Sequence, residues 1–355
     1  MFPDRLDAEG AEPTDKEYGD DGKTNYQYLS PDFVADATNA RDPTYFGSLA
    51  LMDAVFNKPE IKRAITRLPQ GQLPKEGWFA LTNARPSWEG LQVCWRLERS
   101  GKYFLAGRNL KSLEPAAGTS SWLAAVMLGH RLFGKNQSLL KEVLQIIKNN
   151  KVEAARLVLE YEYQWVSDFM EAQFQVFSEF FKRWEAFSQV YIYIGFEIKM
   201  PSDAAATSVD FESVRGFYSM AQEFFAKQVR LLTALNNMKA GRAFDQLSKI
   251  TLRKYFDTDN AKRCDNFKDN LIFASSASEF DSSLRNAEAH NWLRANAEAQ
   301  FLQYRQGGAG AAVQLKYVEY LRKSVALFRQ ICHLMQVEAI LKNLARDTAD
   351  GLLCK

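Results

Sequence analysis

Leu284-Arg285-Asn286-Ala287-Glu288-Ala289-His290, near the C-terminal end of a 355-residue chain, sits in a pattern that predicts a helix over about Ser275–Asn296. Apolar Phe280, Leu284, Ala287 and Leu293 recur every three or four residues, the spacing of one buried helical face. Beside that face Arg285, Asn286 and His290 concentrate hydrogen-bonding groups. Asn286 and His290 are four apart and share a face; Arg285 lies off it, on a stem long enough to swing round. A cation, an amide and an imidazole gathered there can grip a phosphate and move a proton.

Downstream, Phe301–Arg305 and Ala312–Leu315 flank glycines 307, 308 and 310 and predict a short hairpin. A last helix is expected from Lys316 to about Arg346. Upstream, Tyr161, Trp165, Phe169, Ala172, Val176, Phe180, Trp184, Phe187, Tyr191 and Ile194 form a helical stripe some nine turns long, from near Val152 to 198. Its length implies bundle packing or a dimer seam. Between stripe and motif the reading is a loop at Pro201–Ser208, an amphipathic helix over Asp210–Ala240, more helix over Arg242–Phe256, and a polar surface connection over Asp257–Asp269. A helix is also expected over Ser138–Asn149, and Thr119 or Ser120 can cap another running to about Phe133.

The stretch Gly77–Leu113 reads differently. Leu91-Gln92-Val93-Cys94-Trp95-Arg96-Leu97 alternates, Ser100-Gly101 is a turn signal, and Tyr103-Phe104-Leu105 follows, which together predict a β-hairpin. Trp78, Trp88 and Trp95 in this stretch have two readings, stacking on bases or filling a small core. Gly129–Lys135 is dismissed as a phosphate-binding loop because Asn136 follows the lysine where that pattern needs Ser or Thr. The domains expected are an acidic lead-in over 1–40, a small mixed α/β module with the hairpin over 41–115, and a helical bundle over 116–355.

Hydrophobic residues at 46% and charged residues at 25% are those of a globular chain. No apolar run approaches the length of a membrane span, and the acidic N-terminus lacks a secretory h-region, so the cytoplasm is expected. Residues 1–40 carry ten acidic and three basic side chains, a net of −7, and the overall +2 leaves +9 on the remainder. A basic body with an acidic tail suits a polyanion partner, and equally a plain solvated tail. The four cysteines are scattered and the histidines number three, which argues against a zinc site or a disulfide framework. His130 and His333 are read as structural.

Helix, Arg285-Asn286-x-x-x-His290, hairpin and closing helix together resemble the HEPN family (higher eukaryotes and prokaryotes nucleotide-binding domain) over about residues 208–346. The resemblance implies a mainly α, HEPN-like bundle and metal-independent RNA cleavage, with no cofactor. RNA brings its own nucleophile, the 2′-hydroxyl, so the protein supplies proton transfer and charge stabilisation. It assigns general acid/base work to His290, stabilisation of the phosphorane charge to Arg285, and orientation of the histidine or phosphate to Asn286. It also implies a homodimer that brings two motifs together, RNA such as tRNA or mRNA as substrate, a toxin or phage-defence role, and an antitoxin or regulatory partner. Glu288 is out of place in such a motif unless it points away. The competing classes are a non-catalytic nucleotide-binding or dimerising module and a helical scaffold. In those, Arg285 pairs with Asp281, Asn286 bonds between helices and His290 is a helical histidine with no chemistry.

Overall fold

The computed structural model describes residues 75–353 except 114–118, 121–123, 125–128, 196–198, 208–209, 258–261 and 307–308. The expected acidic lead-in and residues 41–74 of the expected mixed module lie outside the described residues. The chain divides into two compact units, residues 1–82 and 83–355.

Helix α1 (Lys75–Arg99) and α2 (Tyr103–Leu113) occupy the stretch where a hairpin was expected. The alternation in Leu91–Leu97 is short, and over a longer window the buried residues are Ala84, Trp88, Leu91, Cys94 and Trp95, a helical period. Val93, which a strand would bury with Trp95, is 51% exposed. Ser100-Gly101 ends the helix instead of turning a hairpin. The Gly101 N–H donates to Glu98 O and the Lys102 N–H to Leu97 O, both at 2.9 Å, with Gly101 at φ 72°. That is a Schellman end with glycine in its left-handed position. Trp88 and Trp95 fill the core; Trp88 stacks on Phe181 at 5.4 Å and meets Trp95 edge-on at 6.2 Å.

The aromatic stripe is helical but not one helix. The helix expected over Ser138–Asn149 is α3 (Gln137–Asn149), and the stripe after it runs through α4 (Lys151–Glu160), a π-helical turn (Tyr161–Trp165), α5 (Val166–Lys182) and α6 (Trp184–Gly195). Its aromatic residues are buried within the bundle of this one chain. The opposing surface comes from α7 (Phe217–Lys239) and from the last helix, α9 (Tyr317–Leu353), which packs against α3, α4, α6 and α7. Phe328 of α9 is the hub: it stacks on Phe180 at 3.8 Å and meets Phe177 edge-on at 4.8 Å. Aromatic pairs of this kind add about 0.5–1.5 kcal/mol beyond their buried area.

The segment expected as one helix over Asp210–Ala240 breaks at Arg215-Gly216, with a single turn (Phe211–Val214) before Gly216 at φ 82° and α7 after it. The helix expected over Arg242–Phe256 is reduced to its last turn, Leu252–Phe256, capped by Thr251. Gly241 at φ 72° ends α7, and side chains then satisfy the loop backbone: Asn237 Nδ2 donates to Phe244 O, and the Phe244 N–H donates to Glu153.

The expected hairpin is present, as β2 (Phe301–Arg305) and β3 (Ala312–Lys316), with Leu302 opposite Leu315 and Tyr304 opposite Val313. A short β1 (Arg294–Asn296) adds a third antiparallel strand in the order β1-β2-β3. Leu302 and Tyr304 are buried while Gln303 and Arg305 face out, the alternation of a half-covered sheet. Among the described residues no helix is long and apolar enough to cross a membrane.

Candidate functional site

The motif occupies α8 (Ser282–Ala289), a helix of eight residues rather than the twenty or so expected. Both limits follow from side chains next to the motif. Asp281 is the N-cap, its carboxylate accepting from the Ser283 and Leu284 N–H groups at 3.1 Å. At the other end His290 is the C-cap residue and Asn291, at φ 58°, takes the left-handed position that asparagine tolerates. The Asn291 N–H donates to Glu288 O at 3.1 Å and the Trp292 N–H to Ala287 O at 2.8 Å, the Schellman pattern again. Leu284 and Ala287 are fully buried beneath the helix, and Leu293 nearly so, as the spacing predicted; Phe280 is half-buried.

Arg285 and Asn286 are in contact: Arg285 Nη1 donates to Asn286 Oδ1 at 2.7 Å. The other guanidinium nitrogen, Nη2, is ion-paired with Glu223 of α7. Asp281, the partner expected for Arg285 in the non-catalytic reading, faces Lys323 of α9 at 3.6 Å and caps α8. His290 is exposed one turn beyond Asn286, its ring stacked on Trp292 with centroids 4.8 Å apart and planes 27° off parallel. Arg285 and Asn286 are therefore joined side chain to side chain, while His290 is tied to Asn286 through the backbone, its N–H donating to Asn286 O at 3.0 Å.

Glu288 turns inward, away from His290. It is 4% exposed, and its carboxylate accepts from the Gly216 N–H at 2.9 Å, the Ser219 N–H and the Tyr320 hydroxyl. Gly216 and Ser219 are the N-cap and third residues of α7, so Glu288 caps that helix from outside, where the glycine has no side chain to do so. A carboxylate is stabilised by the positive end of a helix dipole. Burial still raises the Glu288 carboxyl above its usual value; the Tyr320 hydroxyl, the two amides and nearby Arg215 pull the other way. Arg215, next to Gly216, donates through Nη2 to Asn291 Oδ1 and pairs with Glu212. The junction before α7 thus holds the end of α8 at two points.

Glu223, Arg215 and Trp292 were not singled out by the sequence. Glu223 and Arg215 lie 62 and 76 positions from their partners, and nothing local announces the pairing. Trp292 has a local signal, since Asn291 before it is a residue that tolerates the left-handed position at a helix end. Among the described residues no three His, Cys, Asp or Glu side chains are grouped so as to hold a metal ion. His333 is buried and held neutral, its imidazole lowered to about 4 by burial and then by Arg329, in keeping with a structural role. A cleft of about 420 Å³ lies elsewhere, between the end of α6 and α9, and includes Tyr193, Lys199, Glu319 and Arg322. Arg322 there is already paired with Glu319 and Glu279. No family model, curated protein or solved structure matches this chain.

Proposed function

We propose that this chain is a metal-independent endoribonuclease whose chemistry is carried by His290, Arg285 and Asn286. The observation that supports it best is local: an exposed imidazole ends α8 one turn after an amide that is hydrogen-bonded to a guanidinium, while the motif's one carboxylate, Glu288, is buried on the far side. In the proposed reaction a base removes the proton from the 2′-hydroxyl, and the oxygen attacks the adjacent phosphorus. The P–O5′ bond then breaks, and an acid returns a proton to O5′, leaving a 2′,3′-cyclic phosphate. One imidazole per chain serves one of these roles, and a second copy of the chain in a symmetric dimer would supply the other. Arg285 would neutralise charge building on the phosphorane oxygens. The substrate class is RNA, tRNA or mRNA, and a toxin or phage-defence role with a regulatory partner extends the same reading.

A second reading has its own observation. Glu223 already occupies one side of the Arg285 guanidinium, as it would in a non-catalytic nucleotide-binding or dimerising module. Both readings meet in one assay: purified protein incubated with total RNA and with tRNA in EDTA. The ribonuclease reading expects cleavage that leaves 2′,3′-cyclic phosphate ends and is lost in His290→Ala and Arg285→Ala. It also expects Glu223→Gln to cleave at least as well as the wild type, because it frees the arginine for phosphate. No cleavage, or equal cleavage by the His290 and Arg285 variants, overturns it.

A further inference from the structure

The turn after α8 carries a feature that the chemistry above does not use. Trp292 is 39% exposed, yet its backbone is fixed by the Schellman bond to Ala287 and its neighbour Asn291 is clamped by Arg215. Closing such a turn needs only a small apolar contact at this position. An indole is far larger than that need, and here it lies nearly parallel to the imidazole of His290. Next to it, β1 begins at Arg294 and is exposed along its length. A held aromatic surface beside an exposed arginine is the equipment with which proteins bind unpaired nucleotides: every base has a π-face, and the phosphates that follow it are anionic.

We propose that Trp292, with His290, forms a stacking step for one unpaired nucleobase of an RNA strand; the proposal takes the ribonuclease reading as its premise. The reaction itself asks for such a step. In an A-form helix the 2′-hydroxyl is not in line with the P–O5′ bond, so the nucleotide at the cut has to leave the stack before attack. A base that leaves the helix loses its stacking neighbours, and an aromatic platform beside the proton-transfer group replaces them. The substrate class is therefore single-stranded or looped RNA, and base-paired RNA is excluded. Trp292 acts as a specificity-determining residue that holds the base while His290 moves the proton.

The test separates binding from cleavage. A short 2′-O-methyl oligonucleotide, whose nucleophile is blocked, and a blunt-ended duplex of the same chemistry are titrated against the full chain. The proteins compared are the wild type, Trp292→Ala, Trp292→Leu and Trp292→Phe, each with its melting temperature recorded. Loss of one stacked base is expected to weaken single-strand binding roughly ten- to a hundredfold in the Ala and Leu variants. Phe is expected to stay within about threefold, and the weak duplex affinity is expected to be the same for all four. Leu keeps an apolar group to close the turn, so the Leu–Phe pair decides the matter if Ala fails to fold. Wild-type affinity in the Leu variant overturns the proposal, as does an equal loss for both RNAs, or no single-strand binding by the wild type. Stacking-dependent binding without His290-dependent cleavage would sink the ribonuclease reading and leave the stacking step as a binding site. His290-dependent cleavage indifferent to Trp292 would do the reverse.

Discussion

Helix α1 and the motif helix α8 end in the same way, and the comparison separates what a fold needs from what a site adds. Each closes with a Schellman turn, through Gly101 in one and Asn291 in the other. Each carries a buried glutamate three residues before that left-handed position, Glu98 and Glu288. A carboxylate in the last turn opposes its own helix dipole, and both are compensated at the start of a different segment. Glu98 accepts from the Ser120 N–H at 2.9 Å; Glu288 accepts from Gly216, Ser219 and Tyr320. Beyond the glutamate the two ends part. At α1 the left-handed residue is a glycine, which is at ease there, and an exposed Lys102 follows. At α8 it is an asparagine tied down by Arg215, and a tryptophan stacked on the candidate catalytic histidine follows. The first end only stops a helix. The second stops it and presents a surface.

The sharpest break between the two ends should come from the glutamates. Glu288→Ala strands the Gly216 and Ser219 amides and leaves the Tyr320 hydroxyl only the Val214 carbonyl at 3.3 Å, and is expected to cost about 2 kcal/mol in urea denaturation, against about 1 kcal/mol for Glu98→Ala, which strands one backbone amide. Equal losses would show that the extra partners of Glu288 contribute nothing.

The pH dependence sharpens the same contrast. Both carboxyls are raised above the usual 4.5, chiefly by burial, so the native state keeps their protons to higher pH than the unfolded chain does. That contribution to stability is fully present below 4.5 and is lost as pH rises through the native values. Glu288→Gln and Glu98→Gln should each flatten the loss, measured as the urea midpoint between pH 4 and 8. Buried His333 works in the opposite sense: with its imidazole lowered to about 4, its contribution is present above 6.5 and lost as pH falls toward 4. The two glutamates are therefore best compared on a His333→Gln background, where an unchanged slope in both variants would contradict the assignment.

The smallest effect concerns the left-handed residues. Gly101→Ala is expected to lower stability by about 1 kcal/mol because it places a Cβ at positive φ. Asn291→Gly relieves that conformation but gives up the bond to Arg215, so thermal melting should move by less than about 0.5 kcal/mol either way. A large loss in the second variant would mean that the clamp matters more than the backbone.

The same pair of ends shows what was legible in the sequence. Ser100-Gly101 was read as a hairpin turn because glycine after a polar residue suits both a hairpin and a helix end, and seven alternating residues do not separate a strand from a helix. The spacing of Ala84, Trp88, Leu91 and Trp95 does separate them, since it extends over about three turns. The hairpin at 301–316 was legible because its alternation is reinforced by glycines between the strands. The motif's face, with Leu284, Ala287 and Leu293 beneath it, was legible too, but the helix was drawn too long. Asp281 and Asn291 are the ordinary signals for its two ends. Glu223 on Arg285 and the inward turn of Glu288 were not legible, since both depend on α7 lying beside α8, and tertiary packing leaves no local trace.

The Arg215–Asn291 and Gly216–Glu288 bonds join positions 76 and 72 residues apart, from adjacent residues before α7 to residues three apart at the end of α8. Closing so long a loop for a few hydrogen bonds is entropically poor as an opening move, so the junction forms only after α7 and α8 have been brought together by their apolar faces. Interactions made that late leave the folding rate nearly untouched and slow unfolding. The two bonds thus set how long the site persists once built, and the geometry around His290 owes its lifetime to residues that the chain reaches last.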